Sequence, residues 1–168
     1  GRRHVFNEKP KRIVSLSYGT DEILTELVDA NRIAAYCRWA EDSGITFITQ
    51  EQFKKVSRKT DGSAEEVLAL KPDLVLATTA MSSDIINALD ALGLKVYLAS
   101  RPKNYEQMRQ KVLKLGEAVG ENAKGKAIVK QMDERMAMLE AKLSQIPDSK
   151  RKTVVAFNFL SAMGRKGD

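Results

Sequence analysis

Arg38 and Trp39 stand side by side in a stretch that has neither helical nor strand periodicity. A guanidinium matches carboxylate or phosphate geometry with a fork of N–H donors, and an indole offers a flat apolar face. On a loop the pair suits an anionic, flat or aromatic ligand. The plainer account is a tryptophan that anchors the loop beside a solvated arginine. A second cluster, Thr78-Thr79-Ala80-Met81-Ser82-Ser83, follows the apolar run Leu74-Val75-Leu76-Ala77. The hydroxyls of Thr78, Thr79 and Ser82 suit hydrogen bonds to a ligand, although for Ser82 the cap of a following helix is the stronger reading. Met81 can fill a gap as readily as touch a ligand. Tyr18 has no apolar periodicity to account for it and points to ligand contact. Tyr36, Arg101 and the basic pair Arg58-Lys59 complete the candidates, the last with the alternative of simple solvation. Cys37 reads as a small buried group rather than a ligand to iron, and His4, alone near a terminus, is given no role.

The same residues argue against several chemistries. With one histidine and one cysteine the sequence supports no internal disulfide and no multi-cysteine metal centre, and it offers no Ser–His–Asp set at a cleft. Neither GxGxxG nor a P-loop occurs. The formal charge of +6 fits an acidic ligand or partner, but Lys and Arg are scattered among carboxylates as on a solvated helix face. Nucleic acid is not an expected partner, because the aromatics fall mostly at strand or core positions rather than among basic residues on one face. No cofactor and no bound metal are expected. The 168 residues, 43% hydrophobic and 30% charged, suffice for one core. No apolar run approaches a membrane span and no signal-peptide pattern precedes Gly1, so a soluble chain, unprocessed or already trimmed, is expected.

These candidates need elements to hold them. Arg12 to Leu16 reads as a strand, Ser17-Tyr18-Gly19 as a turn, and Thr20 or Asp21 as the cap of a helix bearing Ile23, Leu24, Leu27 and Val28. Residues 32–36 resume as strand. From Cys37 to Thr60 the pattern predicts a long loop with one helical turn near Glu51-Gln52-Phe53. Ser63-Ala64-Glu65-Glu66 fits a capping box for a helix ending before Pro72. Strand 74–78, a helix with Ile85, Ile86, Leu89 and Leu92 on one stripe closed by Gly93, and strand 95–98 follow. Alternating strands and helices imply a parallel sheet, so the turns at Tyr18, Arg38-Trp39, Thr79-Met81 and Ser100-Arg101 should gather on one edge.

Beyond Asn104 the pattern is helical: one helix to about 119, stopped at Gly120, and a second from Asn122 to Ser144 with Ile128, Met132, Met136, Leu139 and Leu143 at three- and four-residue steps. That stripe is expected to pack across the sheet lobe. Thr153 to Leu160 reads as a buried-type strand with nothing after it to cover it, which predicts a fragment of a larger protein and a homodimer paired through 153–160.

Pro10-Lys11-Arg12-Ile13-Val14-Ser15-Leu16 after Gly1-Arg2-Arg3-His4-Val5, the helix start Thr20-Asp21-Glu22-Ile23-Leu24, Glu65 through Val75, Leu92-Gly93-Leu94-Lys95-Val96, and Leu115-Gly116-Glu117-Ala118-Val119-Gly120 occur in one order. Together they resemble the substrate-binding proteins of ABC importers for ferric siderophores, haem and cobalamin, across nearly the whole chain. The resemblance implies a Rossmann-like α/β lobe at 1–103 with a parallel sheet flanked by helices, a helical segment at 104–150 that includes an interlobe helix, and the start of a truncated second lobe at 151–168. It implies a metal complex or corrinoid held in an interlobe cleft, with Tyr18, Tyr36, Arg38, Trp39, Lys59, Thr79, Met81 and Arg101 as the ligand-facing candidates. It further implies a membrane permease as partner, Glu65 as the carboxylate that docks on it, and a periplasmic or cell-surface location. For Glu65 a favourable charge at a helix N-terminus is a sufficient alternative. The enzyme reading kept beside it is a tetrapyrrole or metal chelatase on the same lobe architecture, which calls for clustered histidines and carboxylates.

Overall fold

The computed structural model describes residues 8–153. His4 and all of the expected 153–160 strand beyond Thr153 lie outside them. The chain forms two compact units, residues 1–131 and 132–168.

The first unit is a five-stranded parallel sheet of β1 (Ile13–Ser15), β2 (Ile33–Cys37), β3 (Lys59–Thr60), β4 (Leu74–Thr78) and β5 (Val96–Ala99), in the order β3-β2-β1-β4-β5. The helices are α1 (Tyr18–Leu27), α2 (Gln50–Val56), α3 (Ala64–Ala69), α4 (Ser83–Ala91), α5 (Tyr105–Ala118) and α6 (Asn122–Ser144), the last continuing into the second unit. Apolar residues alternate between two cores because helices cover both faces of the sheet. Ile13, Leu74 and Leu76 meet α1, α2 and α5 through Leu24, Leu27, Phe53, Leu115 and Val119. Val14, Ala35 and Val75 meet α3 and α4 through Val67, Leu70 and Leu89. Asp73 ties the entry of β4 to that of β1, its two oxygens accepting the N–H groups of Lys11 at 2.6 Å and Arg12 at 2.9 Å.

Glycines mark two sharp requirements. Gly93 closes α4 at φ 76°, the left-handed cap expected there. Gly116 lets α5 and α6 approach closely: a Cβ on it would lie 3.1 Å from the Glu121 carbonyl and 3.2 Å from Gly125 Cα. In the first unit α6 docks through Gly125, Ile128 and Val129. In the second, Met138, Leu139 and Leu143 are exposed, so the expected apolar stripe is packed at its start and open at its end.

Local structure departs from the sequence reading at three caps. Residues 37–60 are not one loop: they hold α2 and the edge strand β3. Helix α2 carries a complete capping box, in which Thr49 Oγ1 accepts from Gln52 N–H and Gln52 Oε1 accepts from Thr49 N–H. The box expected at Ser63 does not form, because Glu66 turns to the preceding strand and accepts from the Thr60 hydroxyl at 2.8 Å and the Asp61 N–H at 2.9 Å. Neither Thr20 nor Asp21 caps α1; Ser17 holds the N-cap position, and both are buried in its first turn.

Candidate functional site

Because all five strands run parallel, the segments that leave them share one edge. Across that edge, in strand order, stand the Asp61-Gly62 turn, Arg38-Trp39, Ser17-Tyr18, Thr79-Met81 and Arg101. After β1 the chain turns to the face of α1; after β4 it turns to the opposite face, that of α4. Between these two strands the order reverses, which opens a crevice of the kind that holds ligands in open α/β sheets. Tyr18 stands on one side of it, 49% exposed at the first position of α1. Thr79 and Met81 stand on the other: the Thr79 N–H donates to the Ala99 carbonyl and the Met81 N–H to that of Thr78. Ser82 caps α4, its hydroxyl accepting from the Ile85 N–H. Arg101 is exposed beyond β5.

Arg38 and Trp39 occupy the centre of a tight turn closed by the Ala40 N–H on the Cys37 carbonyl at 3.1 Å. The Arg38 guanidinium carbon lies 4.8 Å from the centroid of the Trp39 ring, a cation–π contact, and the indole stays 44% exposed. A guanidinium held flat against an indole is one surface with a cationic rim, able to stack on a planar ligand and pair with an anionic one. Lys59 belongs to β3; its ammonium pairs with Glu41 and lies 5.8 Å from the Phe53 ring centroid. Tyr36 does not join this group. It is buried in the core, its hydroxyl shared with Thr25 at 2.9 Å and its ring stacked near Phe53, because both faces of the sheet are covered and Tyr36 lies on the face that α1 and α2 cover. Glu65 is exposed in the first turn of α3, at the outer end of the edge.

Beneath the Arg38-Trp39 turn lies the carboxylate of Asp21, whose residue type and place suggest only a helix cap. Asp21 is fully buried; its Oδ2 accepts the Cys37 N–H at 3.1 Å and its Oδ1 has no hydrogen-bond partner. Burial pushes its pKa up to about 7, against hydrogen bonding from the Cys37 thiol, the Ser15 hydroxyl and the Cys37 amide. Burial and the facing Asp21 charge push the Cys37 thiol up to about 12, so it stays protonated and unreactive. On α5, burial lowers the pKa of Lys111, whose ammonium donates to the Gly19 carbonyl at 3.2 Å. The only sequence signal for Asp21 was an acid at the start of an apolar helix, which a cap explains equally well.

A cavity of about 150 Å³ opens between α1 and α2, lined by Glu22, Thr25, Glu26, Phe47, Ile48 and Gln52. It holds none of the candidate ligand-facing residues. Among the described residues no group of three or more His, Cys, Asp or Glu is placed to hold a metal ion, and no helix is long and apolar enough to cross a membrane.

Residues 13–165 match the family model described as periplasmic binding protein. A probable siderophore-binding lipoprotein of Bacillus subtilis is 28% identical over 159 residues, covering 93% of this chain and 46% of that protein. The Fe(3+) dicitrate-binding periplasmic protein of Escherichia coli is 31% identical over 99 residues, 59% of this chain and 32% of its own. Among solved structures, a possible iron-binding (periplasmic solute-binding) protein from Staphylococcus epidermidis superposes with a TM-score of 0.72 at 19% identity, over 84% of this chain and 54% of that one. This chain thus spans about half the length of the first of these relatives.

Proposed function

The chain belongs to the periplasmic binding protein family, and from that premise we propose that it captures an iron complex, a siderophore or haem, or else cobalamin, for an ABC importer. The observation that carries this reading is the convergence of Tyr18, the Arg38-Trp39 pair, Thr79, Met81 and Arg101 on the carboxyl edge of the parallel sheet, around the point where its strand order reverses. The edge offers a cationic rim, two aromatic faces and hydroxyls, which complement a bulky, flat or anionic chelate. Residues 1–103 are the ligand-binding lobe in this reading, 104–150 include the helix that leads away from it, and 151–168 begin a second lobe. Glu65 is the docking carboxylate for the membrane permease, separate from the ligand residues at the outer end of the edge. The protein works outside the cytoplasm in this reading, which relatives described as a lipoprotein and as a periplasmic protein support. Homodimer formation through the 153–160 strand is the remaining part of the proposal.

The test is a titration of the 168-residue chain with ferric siderophores, haemin and cobalamin, reading the fluorescence of Trp39, the sole tryptophan. Saturable quenching by one ligand class, weakened in Arg38→Ala, is the expected result. No saturable response to any of the three, from either the fluorescence or calorimetry, would overturn it.

A further inference from the structure

The Arg38-Trp39 turn hangs on Cys37, and Cys37 hangs on Asp21. The Cys37 carbonyl closes the turn by accepting from Ala40 at 3.1 Å, and its N–H donates to Asp21 Oδ2 at the same distance. The two central residues of the turn therefore take their position from a residue whose backbone is held on both sides. We propose that Asp21 is the positioning residue of this turn: as a carboxylate it clamps the Cys37 N–H and fixes Arg38 and Trp39, and a proton taken up on its unpartnered Oδ1 loosens the clamp. The clamp borrows its biological meaning from the proposed ligand edge, but its existence involves no ligand.

The geometry supplies both states. An N–H bond to an ionised oxygen is about twice as strong as one to a neutral acceptor, so protonation weakens the hold on Cys37. Oδ1 is buried and accepts nothing, which leaves it as the oxygen to be protonated. The Ser15 hydroxyl of β1 and the Cys37 thiol of β2 are the polar side chains beside the Asp21 carboxyl. The other groups around it are Tyr36 of β2, whose hydroxyl is engaged by Thr25, and Glu22 on the same helix. From α5, Lys111 reaches the Gly19 carbonyl and faces Glu22. Arg38, in the turn itself, faces Asp61. Burial brings the exchange close to neutral pH, while Cys37 stays a thiol throughout.

Two readouts on the 168-residue chain test it: Trp39 emission for the turn, and the 15N–1H shift of the Cys37 amide for the clamp, each followed from about pH 5 to about pH 9. Both should move together with a midpoint near 7. Asp21→Asn should flatten both, and His4→Gln, which removes the single histidine, should leave both unchanged. A Cys37 amide that does not titrate in the unmodified chain, or a transition that survives Asp21→Asn or disappears with His4→Gln, overturns the proposal. The amide titration needs no variant, so a poorly folded Asp21→Asn would not rescue it. If the turn titrates and none of the three ligand classes binds, the clamp stands and the binding role falls.

Discussion

At the scale of single residues, Asp21 trades stability for position. Its pKa is about 7 in the folded chain against 3.8 unfolded, so the folded state holds the proton more tightly. The associated stability is complete below the unfolded value and is lost as pH rises through the folded one. Relative to Asp21→Asn, the unmodified chain should therefore lose roughly 2–3 kcal/mol between about pH 5 and about pH 8, read by denaturant melts at each pH. A constant difference across that range would show the carboxyl ionising as it does in water. In the proposed function Arg38 and Trp39 act on ligand, and neither side chain is part of the buried core. Replacing either by alanine should weaken binding by about 1–3 kcal/mol with little change in melting temperature. Asp73 and Arg12 stand within the stretches that carry the family resemblance, yet their visible work is structural: Asp73 joins β1 to β4, and Arg12 donates twice to the Leu70 carbonyl.

At the scale of elements, two stretches with capping-box spacing have opposite outcomes. Thr49-Gln50-Glu51-Gln52 has the threonine-to-glutamine spacing and forms the reciprocal pair; Ser63 to Glu66 has the spacing and does not. Thr49→Ala should cost about 1 kcal/mol and fray α2, whereas Ser63→Ala should cost a few tenths, as judged by thermal melts. Equal costs would mean that Ser63 caps α3 in solution. Where α5 meets α6, Gly116→Ala would gain up to about 1 kcal/mol of helix propensity but would press its Cβ on backbone atoms of Glu121 and Gly125. Overpacking against backbone costs about 1–3 kcal/mol, so net destabilisation is the expected result of a chemical melt.

At the scale of the whole molecule, the strand order keeps the proposed ligand residues and Glu65 apart. Glu65 follows the edge strand β3, while Tyr18, Thr79 and Met81 flank the reversal between β1 and β4. A charge on the rim of an interface governs docking more than it governs a separate cleft. If Glu65 docks on a permease as proposed, Glu65→Ala should leave ligand affinity unchanged and slow ligand uptake by cells. A loss of affinity equal to that of Arg38→Ala would place Glu65 in the ligand site. The strand expected from sequence at 153–160 carries a prediction of its own: sedimentation should show self-association, weakened by a proline within that run, and a clean monomer would count against strand pairing.

Local pattern alone determined the parallel α/β lobe, the Gly93 cap, the strand limits of β4 to within a residue and the long α6 helix, because apolar period and turn residues act between near neighbours. It also placed Tyr18, Arg38, Trp39, Thr79, Met81 and Arg101 on one edge, since in a parallel sheet every segment that leaves a strand must lie there. Tertiary contact decided what distant partners do to a side chain. Glu66 left its cap for Thr60, Tyr36 turned into the core beside Thr25, and Asp21 passed from helix cap to the support beneath Arg38 and Trp39. Each has two sterically allowed uses within its own segment, and only the approach of a second strand or helix sets which polar partner is within reach.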